Sequence, residues 1–318
     1  MTEFELIARL KSRLPGNDRM VVGAGDDCAV LDLGEPGWEA LFKTDAVVEG
    51  VHFTAETEPE RVGHKVLARC LSDLAAMGGE ATAAVVTLGL PGLDLAAEAT
   101  WAERAYVGLG ELATRYAVAV VGGETTRNPG AKLLSVALIG RVPKGQALLR
   151  TGSLAGDAIF VTGELGGSRA GHHLDFEPRL DVGRWLRESG RVHALIDVSD
   201  GVAGDLRHLL AAAGTASGEL GAVLHKSALP LSRAAKIRAQ QGDLAKPAHL
   251  AALTDGEDFE LLFTVSSRDA VPLMDAWKDP FPNIRLSCIG KVLAAPGLLW
   301  RDERGVRPLA NGGFTHFS

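Results

Sequence analysis

The chain has 318 residues, 46% of them hydrophobic, so it is long enough for about two domains and apolar enough to bury a core. Its 33 basic and 40 acidic residues give a net charge of −7, with no long run of either sign. This balance argues against nonspecific binding to nucleic acid or to an anionic membrane. The 38 glycines, against 5% aromatic residues, favour tight turns over an aromatic-lined groove.

The three cysteines, Cys28, Cys70 and Cys288, are too few and too far apart for a disulfide framework or a zinc ribbon. The N-terminal sequence MTEFELIARLKSRL is amphipathic and lacks the apolar segment of a signal peptide. No apolar run is long enough to span a bilayer. We therefore expect a cytoplasmic protein with neither a membrane nor a nucleic acid as partner.

The first predicted element is a helix, since apolar residues recur at helical spacing from Phe4 to Leu14. The elements that follow in the first half are strands at residues 20–22, 28–33 and 41–47, a helix at 59–77, a strand at 83–88, a helix at 95–116, and strands at 117–121 and 133–142. Several strands accompany each long helix, which is typical of an α+β arrangement.

The second half begins after the connector GQALLRTGSLAGD. Its predicted elements are a strand at 158–162 with a glycine-rich turn into a helix, a strand at 194–198, a helix at 204–213, and strands at 259–265 and 287–292. Strands interleaved with helices indicate a layered α/β or α+β unit. We predict an N-terminal domain at residues 1–145 and a C-terminal domain at 146–318.

Acidic residues recur at the predicted strand ends, beside glycine or apolar residues. They are Asp26, Asp27, Asp45, Asp73, Glu124, Asp197, Asp200, Glu257 and Asp258. Any single one is equally well explained as a helix cap or turn former. Together they would repel one another unless cations neutralise them. Because no His or Cys pair accompanies them, the pattern favours Mg²⁺ or Mn²⁺ over zinc.

A metal cluster without a dedicated side-chain base points to phosphoryl transfer, in which positioning and charge neutralisation supply most of the rate. The chain has no GxxxxGK[ST] motif and lacks the HRD and DFG motifs of protein kinases. The glycine-rich residues 163–167 follow a strand and could hold a phosphate, but an ordinary turn explains them better.

Eight segments together resemble one family, the thiamine-monophosphate kinases, in order and approximate spacing. They are GAGDDCAVL, KTDAVVEGVHF, RCLSDLAAMGG, VVGGETTR, LLRTGSLAGDAIFVTG, IDVSDGVAGDL, TDGEDFELLF and GGFTHF. The resemblance extends from about Phe4 to Phe317. It implies an aminoimidazole ribonucleotide synthetase-like fold, with a dimerising α+β N-terminal domain and an α/β C-terminal domain. It also implies direct transfer of the γ-phosphoryl group of ATP to thiamine monophosphate in a homodimer that uses several Mg²⁺ ions.

The resemblance assigns site residues position by position. The implied metal ligands are Asp27, Thr44, Asp45, Asp73, Glu124, Asp197 and Asp200. The implied ATP-binding residues are Tyr106, Gly123, Glu124, Arg150 and Ser199. The implied substrate-binding residues are His52, Glu257 and Phe314. A carboxylate and an aromatic face suit a cationic thiazolium with a flat pyrimidine. Structural roles remain open for three of these: a strand histidine at 52, a linker arginine at 150 and a core aromatic at 314.

Two positions depart from the pattern of the family. Glu124 stands where the family has aspartate after Gly-Gly, and the extra methylene would shift that ligand or require a bridging water. Lys43 stands where serine is common before Thr-Asp, so a cation there would weaken one metal position. Both departures leave the number of metals open.

Other members of the superfamily offer the alternative functions. Selenophosphate synthetase would carry a reactive cysteine nearer the N-terminus than Cys28, and the hydrogenase maturation factor would end in cysteine, whereas this chain ends THFS. Aminoimidazole ribonucleotide synthetase fits the glycine-acid motifs less well and is the enzymatic alternative. A noncatalytic nucleotide-binding regulator would have lost carboxylates that this chain retains.

Overall fold

The computed structural model describes residues 3–213, 219–241 and 246–309. The helices in these residues are α1 (Glu3–Lys11), α2 (Pro59–Ala76), α3 (Leu95–Arg115), α4 (His172–Asp175), α5 (Leu180–Ser189), α6 (Val202–Ala213), α7 (Arg233–Gln240), α8 (Ala248–Thr254) and α9 (Ala270–Trp277). The strands are β1 (Met20–Val22), β2 (Ala29–Leu31), β3 (Trp38–Val48), β4 (Glu80–Leu90), β5 (Ala119–Arg127), β6 (Leu133–Pro143), β7 (Ala158–Thr162), β8 (Val192–Asp197), β9 (Gly221–His225), β10 (Leu261–Val265), β11 (Leu286–Leu293), β12 (Gly297–Asp302) and β13 (Gly305–Pro308).

The first six strands form one mixed sheet in the order β1-β2-β3-β6-β4-β5. Its pairings are antiparallel except for β4 with β5, which run parallel because α3 connects them as a crossover. Helices α2 and α3 pack on one another, and α2 also packs against the sheet. The predicted α+β character of the first half is confirmed.

Helix α2 is the central element of the molecule. Pro59 occupies its first turn, where the missing N–H costs nothing, and Gly78, at φ +66, follows its end in the left-handed conformation. It contacts β3, β6, α3, α5 and β8, so it touches both halves of the chain. Most of its residues are buried, so the polar side chains among them need specific partners.

The second sheet has the order β13-β12-β9-β11-β7-β10-β8. Its pairings are antiparallel except for β9 with β12. Side chains of β7 alternate between two cores: Phe160 packs in a core shared with the first sheet, whereas Ile159 and Val161 pack in a second core with α6 and α8. Helices therefore cover both faces, and one face joins the N-terminal half.

The structure corrects the position of several acidic residues. Asp73 lies within α2 and Asp45 within β3, so neither stands at a strand end. The strand predicted at 117–121 begins at Ala119 and continues through Glu124 to Arg127. It continues because Gly123 has no side chain: a Cβ there would lie 1.9 Å from the carbonyl oxygen of Val86 on the paired strand.

No helix in the described part of the chain is long and apolar enough to cross a membrane. The two sheets lie on either side of residue 145, and the exact boundary between 1–145 and 146–318 stays a prediction.

Candidate active site

Three aspartates from distant parts of the chain meet in a buried cluster. Asp27 follows the glycine-rich turn after β1, Asp73 lies near the end of α2, and Asp197 is the last residue of β8. They are 2%, 6% and 4% exposed. One carboxylate oxygen from each lies within 4.8 Å of the others. The structure thus brings together three of the predicted metal ligands.

This proximity is electrostatically costly without a cation. Burial, followed by the charge of Asp27, raises the pKa of Asp197 to about 6. Burial also raises the pKa of Asp73 well above its usual value, with the Asp197 carboxylate adding to the effect. Both shifts express the free-energy cost of charging neighbouring carboxylates away from water.

Each of the three carboxylates has one oxygen engaged by a side chain of the same protein. Arg150 pairs with Oδ1 of Asp27. Lys43 Nζ lies 2.9 Å from Oδ1 of Asp73. The hydroxyl of Ser72 donates to Oδ2 of Asp197 at 2.7 Å. These contacts partly offset the repulsion and orient the remaining oxygens.

The cluster is suited to a divalent metal. Oδ2 of Asp27 is buried and has no hydrogen-bond partner in the described structure, which leaves an acceptor unsatisfied unless a cation binds it. The group of possible ligands consists of three carboxylates and includes no cysteine or histidine, which matches the preference of Mg²⁺ for oxygen. The residues present therefore fit the magnesium that the sequence predicts.

The adjacent Asp26 completes the acidic turn. Its carboxylate accepts hydrogen bonds from the backbone N–H groups of Asp27 and Arg150, at 3.1 Å each for the shorter contacts. Burial and the neighbouring Asp27 charge raise its pKa to about 6. Asp26 thereby ties the turn to the segment that carries Arg150.

Asp45 and Thr44 lie side by side on β3 but face opposite ways. Both oxygens of Asp45 accept from the guanidinium of Arg69, at 3.0 Å each. Although burial acts to raise it, Arg69 and Lys43 hold the pKa of Asp45 below its usual value. The hydroxyl of Thr44 contacts Ser135 Oγ at 3.4 Å on the opposite, exposed face of the strand. The Thr44 side chain is therefore not directed toward the face that carries Asp45.

A small cleft gathers two of the three predicted substrate residues, His52 and Glu257. Its lining comprises Val51, His52, Arg69, Arg169, Ser199, Asp200, Asp255 and Glu257. Nδ1 of His52 accepts the backbone N–H of Val48 at 3.1 Å, which leaves Nε2 as the N–H donor of the neutral ring. Ser199 and Asp200, predicted for nucleotide and metal, thus line the same cleft as His52 and Glu257.

Two cations of α2 hold Glu257 in this cleft. Lys65 Nζ lies 2.6 Å from Oε1 of Glu257 and also donates to the carbonyl of His52 at 2.9 Å. Arg69 lies 3.5 Å from the same Glu257 oxygen while it holds Asp45. Lys65 is fully buried, and burial lowers its pKa to about 8. Arg69 therefore links the carboxylate of the cleft to that of β3.

Three predicted nucleotide residues lie elsewhere in the single chain. Gly123 and Glu124 are on β5, all of whose residues are exposed, and Tyr106 is on α3. Asp45 and Gly123 lie on the same line of paired residues across the sheet, and strands β6 and β4 separate them. At 4.8 Å per strand the two are about 14 Å apart. Phe314 lies outside the described residues.

Sequence reasoning missed the contributions of Lys65, Arg69 and Ser72. A signal was present, because they stand at positions i, i+4 and i+7 of the helix, with only apolar residues between them, immediately before Asp73. This spacing places them on one helical face. Polar residues on one face of a buried helix predict a site beside that face.

Comparisons with known proteins agree with this geometry. The family model of the AIR synthase related protein, N-terminal domain, matches residues 25–142. The thiamine-monophosphate kinase of Rhodopirellula baltica is 38% identical over 307 residues, which cover 94% of this chain and 92% of that relative. The enzyme of the same name from Bacillus subtilis is 35% identical over 346 residues, 100% of each chain.

Solved structures give the same result. AaThiL complexed with AMPPCP and TMP matches with a TM-score of 0.81 at 29% identity, over 99% of this chain and 97% of that one. Thiamine-monophosphate kinase from Stenotrophomonas maltophilia K279a matches with a TM-score of 0.71 at 31% identity, over 94% of this chain and 96% of that one. E. coli HypE shares the fold: it matches with a TM-score of 0.70 at 21% identity, over 97% of this chain and 96% of that one. The resemblance and the predicted fold class are thereby confirmed, and the chain belongs to the thiamine-monophosphate kinase family of enzymes.

Proposed function

We propose that this chain transfers the γ-phosphoryl group of ATP directly to the phosphate of thiamine monophosphate, giving thiamine diphosphate and ADP. The observation that carries the proposal is the buried cluster of Asp27, Asp73 and Asp197 in a chain of this family. The bound state of AaThiL, with AMPPCP and TMP, supports the choice of the two substrates. Two phosphate-bearing anions can meet beside these carboxylates only when cations neutralise the charge.

Asp27, Asp73 and Asp197 would hold Mg²⁺, with Asp200 as a further ligand. Asp45 would bind a metal only through an oxygen that it shares with Arg69, which holds both. The bound metal would neutralise the developing negative charge on the transferred phosphoryl group. Arg150, already paired with Asp27, would hold a nucleotide phosphate, and Ser199 would hydrogen-bond the nucleotide. These residues act by orientation and charge, so no side chain serves as an acid or base.

Glu257 would face the cationic thiazolium ring of the substrate, and His52 would donate from Nε2. Phe314 would supply an aromatic face from the C-terminal segment. The support is the cleft that joins His52 and Glu257 next to Ser199 and Asp200. Thiamine monophosphate would thus lie with its ring at the Glu257 end and its phosphate toward the aspartates.

The proposal includes a homodimer, in which the second copy brings Tyr106, Gly123 and Glu124 to the nucleotide. Two observations support it. The side chains of β5 are exposed throughout, and the large apolar residues Val85 and Val121 are 41% and 66% exposed on the same sheet. An exposed edge strand and apolar sheet face favour pairing with another chain. We also propose a cytoplasmic location, consistent with three unpaired cysteines.

The test mixes the purified protein with thiamine monophosphate, ATP and Mg²⁺, and measures thiamine diphosphate as its fluorescent thiochrome after oxidation and chromatography. We expect diphosphate to form in proportion to ADP, and to stop when EDTA removes the metal. Absence of diphosphate, together with ADP formation on an aminoimidazole-type substrate, would show that the chain is another enzyme of the superfamily.

A further inference from the structure

Lys43 places a cation of the protein itself inside the aspartate cluster. Its side chain extends from the same face of β3 as Asp45, and its Nζ lies 2.9 Å from Oδ1 of Asp73. The Asp73 side chain is 8% exposed and that of Lys43 is 23% exposed, so water screens the pair weakly. We propose that the Lys43 ammonium occupies one cation position of the cluster, so that the chain binds one divalent ion fewer than it would with a neutral residue there.

The first argument is a count of ligand oxygens. In each of the three aspartates one oxygen is engaged: Asp27 Oδ1 by Arg150, Asp73 Oδ1 by Lys43, and Asp197 Oδ2 by Ser72. The second oxygens remain, one from each carboxylate, and that of Asp27 has no partner in the described structure. Three such oxygens can bind one metal ion. A second ion bridged to the first through both oxygens of the Asp73 carboxylate would need the oxygen that Lys43 holds.

The second argument concerns the stability of the Lys43 position. Besides Asp73, the carboxylates of Asp45 and Asp197 lie near this ammonium. Both oxygens of Asp45 are held by Arg69, and Oδ2 of Asp197 accepts from Ser72. Asp45 therefore offers Lys43 no equally free acceptor if a metal displaces it from Asp73. Displacement would also leave a positive charge beside a divalent cation in a site of low exposure, where like charges repel strongly.

The inference rests on the proposed metal-assisted kinase reaction, but its test needs no turnover. Mn²⁺ bound per chain is counted by electron paramagnetic resonance of the free ion, with a nonhydrolysable ATP analogue at saturation. The full-length wild type is compared with Lys43→Met, which removes the charge, and Lys43→Gln, which keeps a hydrogen-bond donor. The matched control is Lys132→Met, because Lys132 pairs with Glu49 at 3.2 Å with a similar exposure of 20%.

We expect each Lys43 variant to bind one more Mn²⁺ per chain than the wild type, and Lys132→Met to bind the wild-type number. Added Mn²⁺ should also raise the melting temperature of the Lys43 variants more than that of the wild type. Lys43→Gln removes the charge but keeps a polar side chain, and it provides the count if Lys43→Met does not fold.

Equal Mn²⁺ counts in the wild type and in a folded Lys43 variant would overturn the inference, whatever the kinase assay shows. A higher count in the variants, with no thiamine diphosphate formed by the wild type, would instead refute the proposed function and leave the role of Lys43 standing.

Discussion

Glu257 has a left-handed backbone conformation, with φ 56, which is uncommon for a residue with a side chain. Its N–H donates to the carbonyl of Ser199 at 2.7 Å, and Lys65 and Arg69 hold its carboxylate. A conformation that costs about 1–3 kcal/mol persists only where the surrounding contacts fix it, and such positions cluster at functional sites. The fold thus fixes this carboxylate in the cleft.

Replacing Glu257 by glutamine should weaken binding of thiamine monophosphate selectively. Without the carboxylate charge, the cations Lys65 and Arg69 would repel the cationic thiazolium ring of the substrate. We expect KM for thiamine monophosphate to rise about tenfold and KM for ATP to stay within about twofold. Steady-state kinetics with each substrate varied measure both values. Glu177→Gln, which breaks an exposed pair with Arg115, is the control, and an equal rise in both KM values would contradict the role.

Replacing Asp73 by asparagine should separate catalysis from stability. Loss of this carboxylate removes a ligand shared within the cluster, and we expect kcat to fall by about 10²–10³-fold. The melting temperature of the metal-free protein should stay unchanged or rise, because one of three crowded buried charges is gone. Kinase assays and thermal melts in EDTA provide the two measurements.

The control for that experiment is Asp175→Asn, which breaks an exposed pair of Asp175 with Arg61 and should leave turnover unchanged. Near-normal turnover of Asp73→Asn would remove Asp73 from the proposed metal ligands.

At the scale of elements, α2 connects packing with chemistry. Its apolar residues fill the shared core, while Lys65, Arg69, Ser72 and Asp73 direct their polar groups to the cleft and the cluster. The helix crosses α3 very closely: a Cβ on Gly63 would lie 1.7 Å from the carbonyl oxygen of Ala105. Any change that moves α2 away from α3 would therefore also move the site residues.

Two glycine-to-alanine substitutions test this crossing. Gly63→Ala should destabilise the protein by about 1–3 kcal/mol, because the two helices must separate to admit the methyl group. Gly110→Ala on α3 should stabilise it by about 1 kcal/mol, because open space surrounds the new Cβ and alanine favours the helix. Denaturant unfolding measures both free energies. Equal effects of the two substitutions would show that the crossing is not tightly packed.

At the scale of the whole molecule, some of the predicted nucleotide residues lie far from the aspartate cluster of the same chain. Gly123 lies about 14 Å from Asp45 across the sheet, by strand spacing, and Glu124 is exposed. A second copy that packs on this sheet would bring its own Glu124 toward the aspartates of the first. The proposed site is then shared between two chains.

Mixing two inactive variants tests the shared site. Asp73→Asn and Glu124→Ala should each lose most activity alone. In a mixed dimer one of the two sites carries both intact residues, so re-equilibrated equal mixtures should recover about a quarter of wild-type activity. Kinase assays before and after subunit exchange measure the recovery. If mixing restores nothing although exchange is complete, the two residues act within one chain. If Glu124→Ala is active on its own, Glu124 is not required.

Much of the fold was predictable because its signals are local. The long helices α2 and α3 and most apolar strands were predicted near their observed positions, since periodicity, Pro59 and the glycines that end elements act within a few residues. Strands β9 and β12 were not predicted. The extension of β5 through Gly123 and Glu124 was missed. This extension depends on pairing with β4, in which the carbonyl of Val86 lies close to Gly123. The local sequence cannot predict that contact, because the two residues are far apart in the chain.

The sequence by itself determined the family and predicted a site of carboxylate ligands, because residue type and motif order are local properties of the chain. Only the tertiary structure decided which charges meet. In the folded chain, one carboxylate oxygen each of Asp27, Asp73 and Asp197 lies within 4.8 Å of the others. Lys43 pairs with Asp73, and Arg69 contacts both Asp45 and Glu257. Those pairings join residues far apart in sequence, so their distances depend on how the two sheets pack around α2.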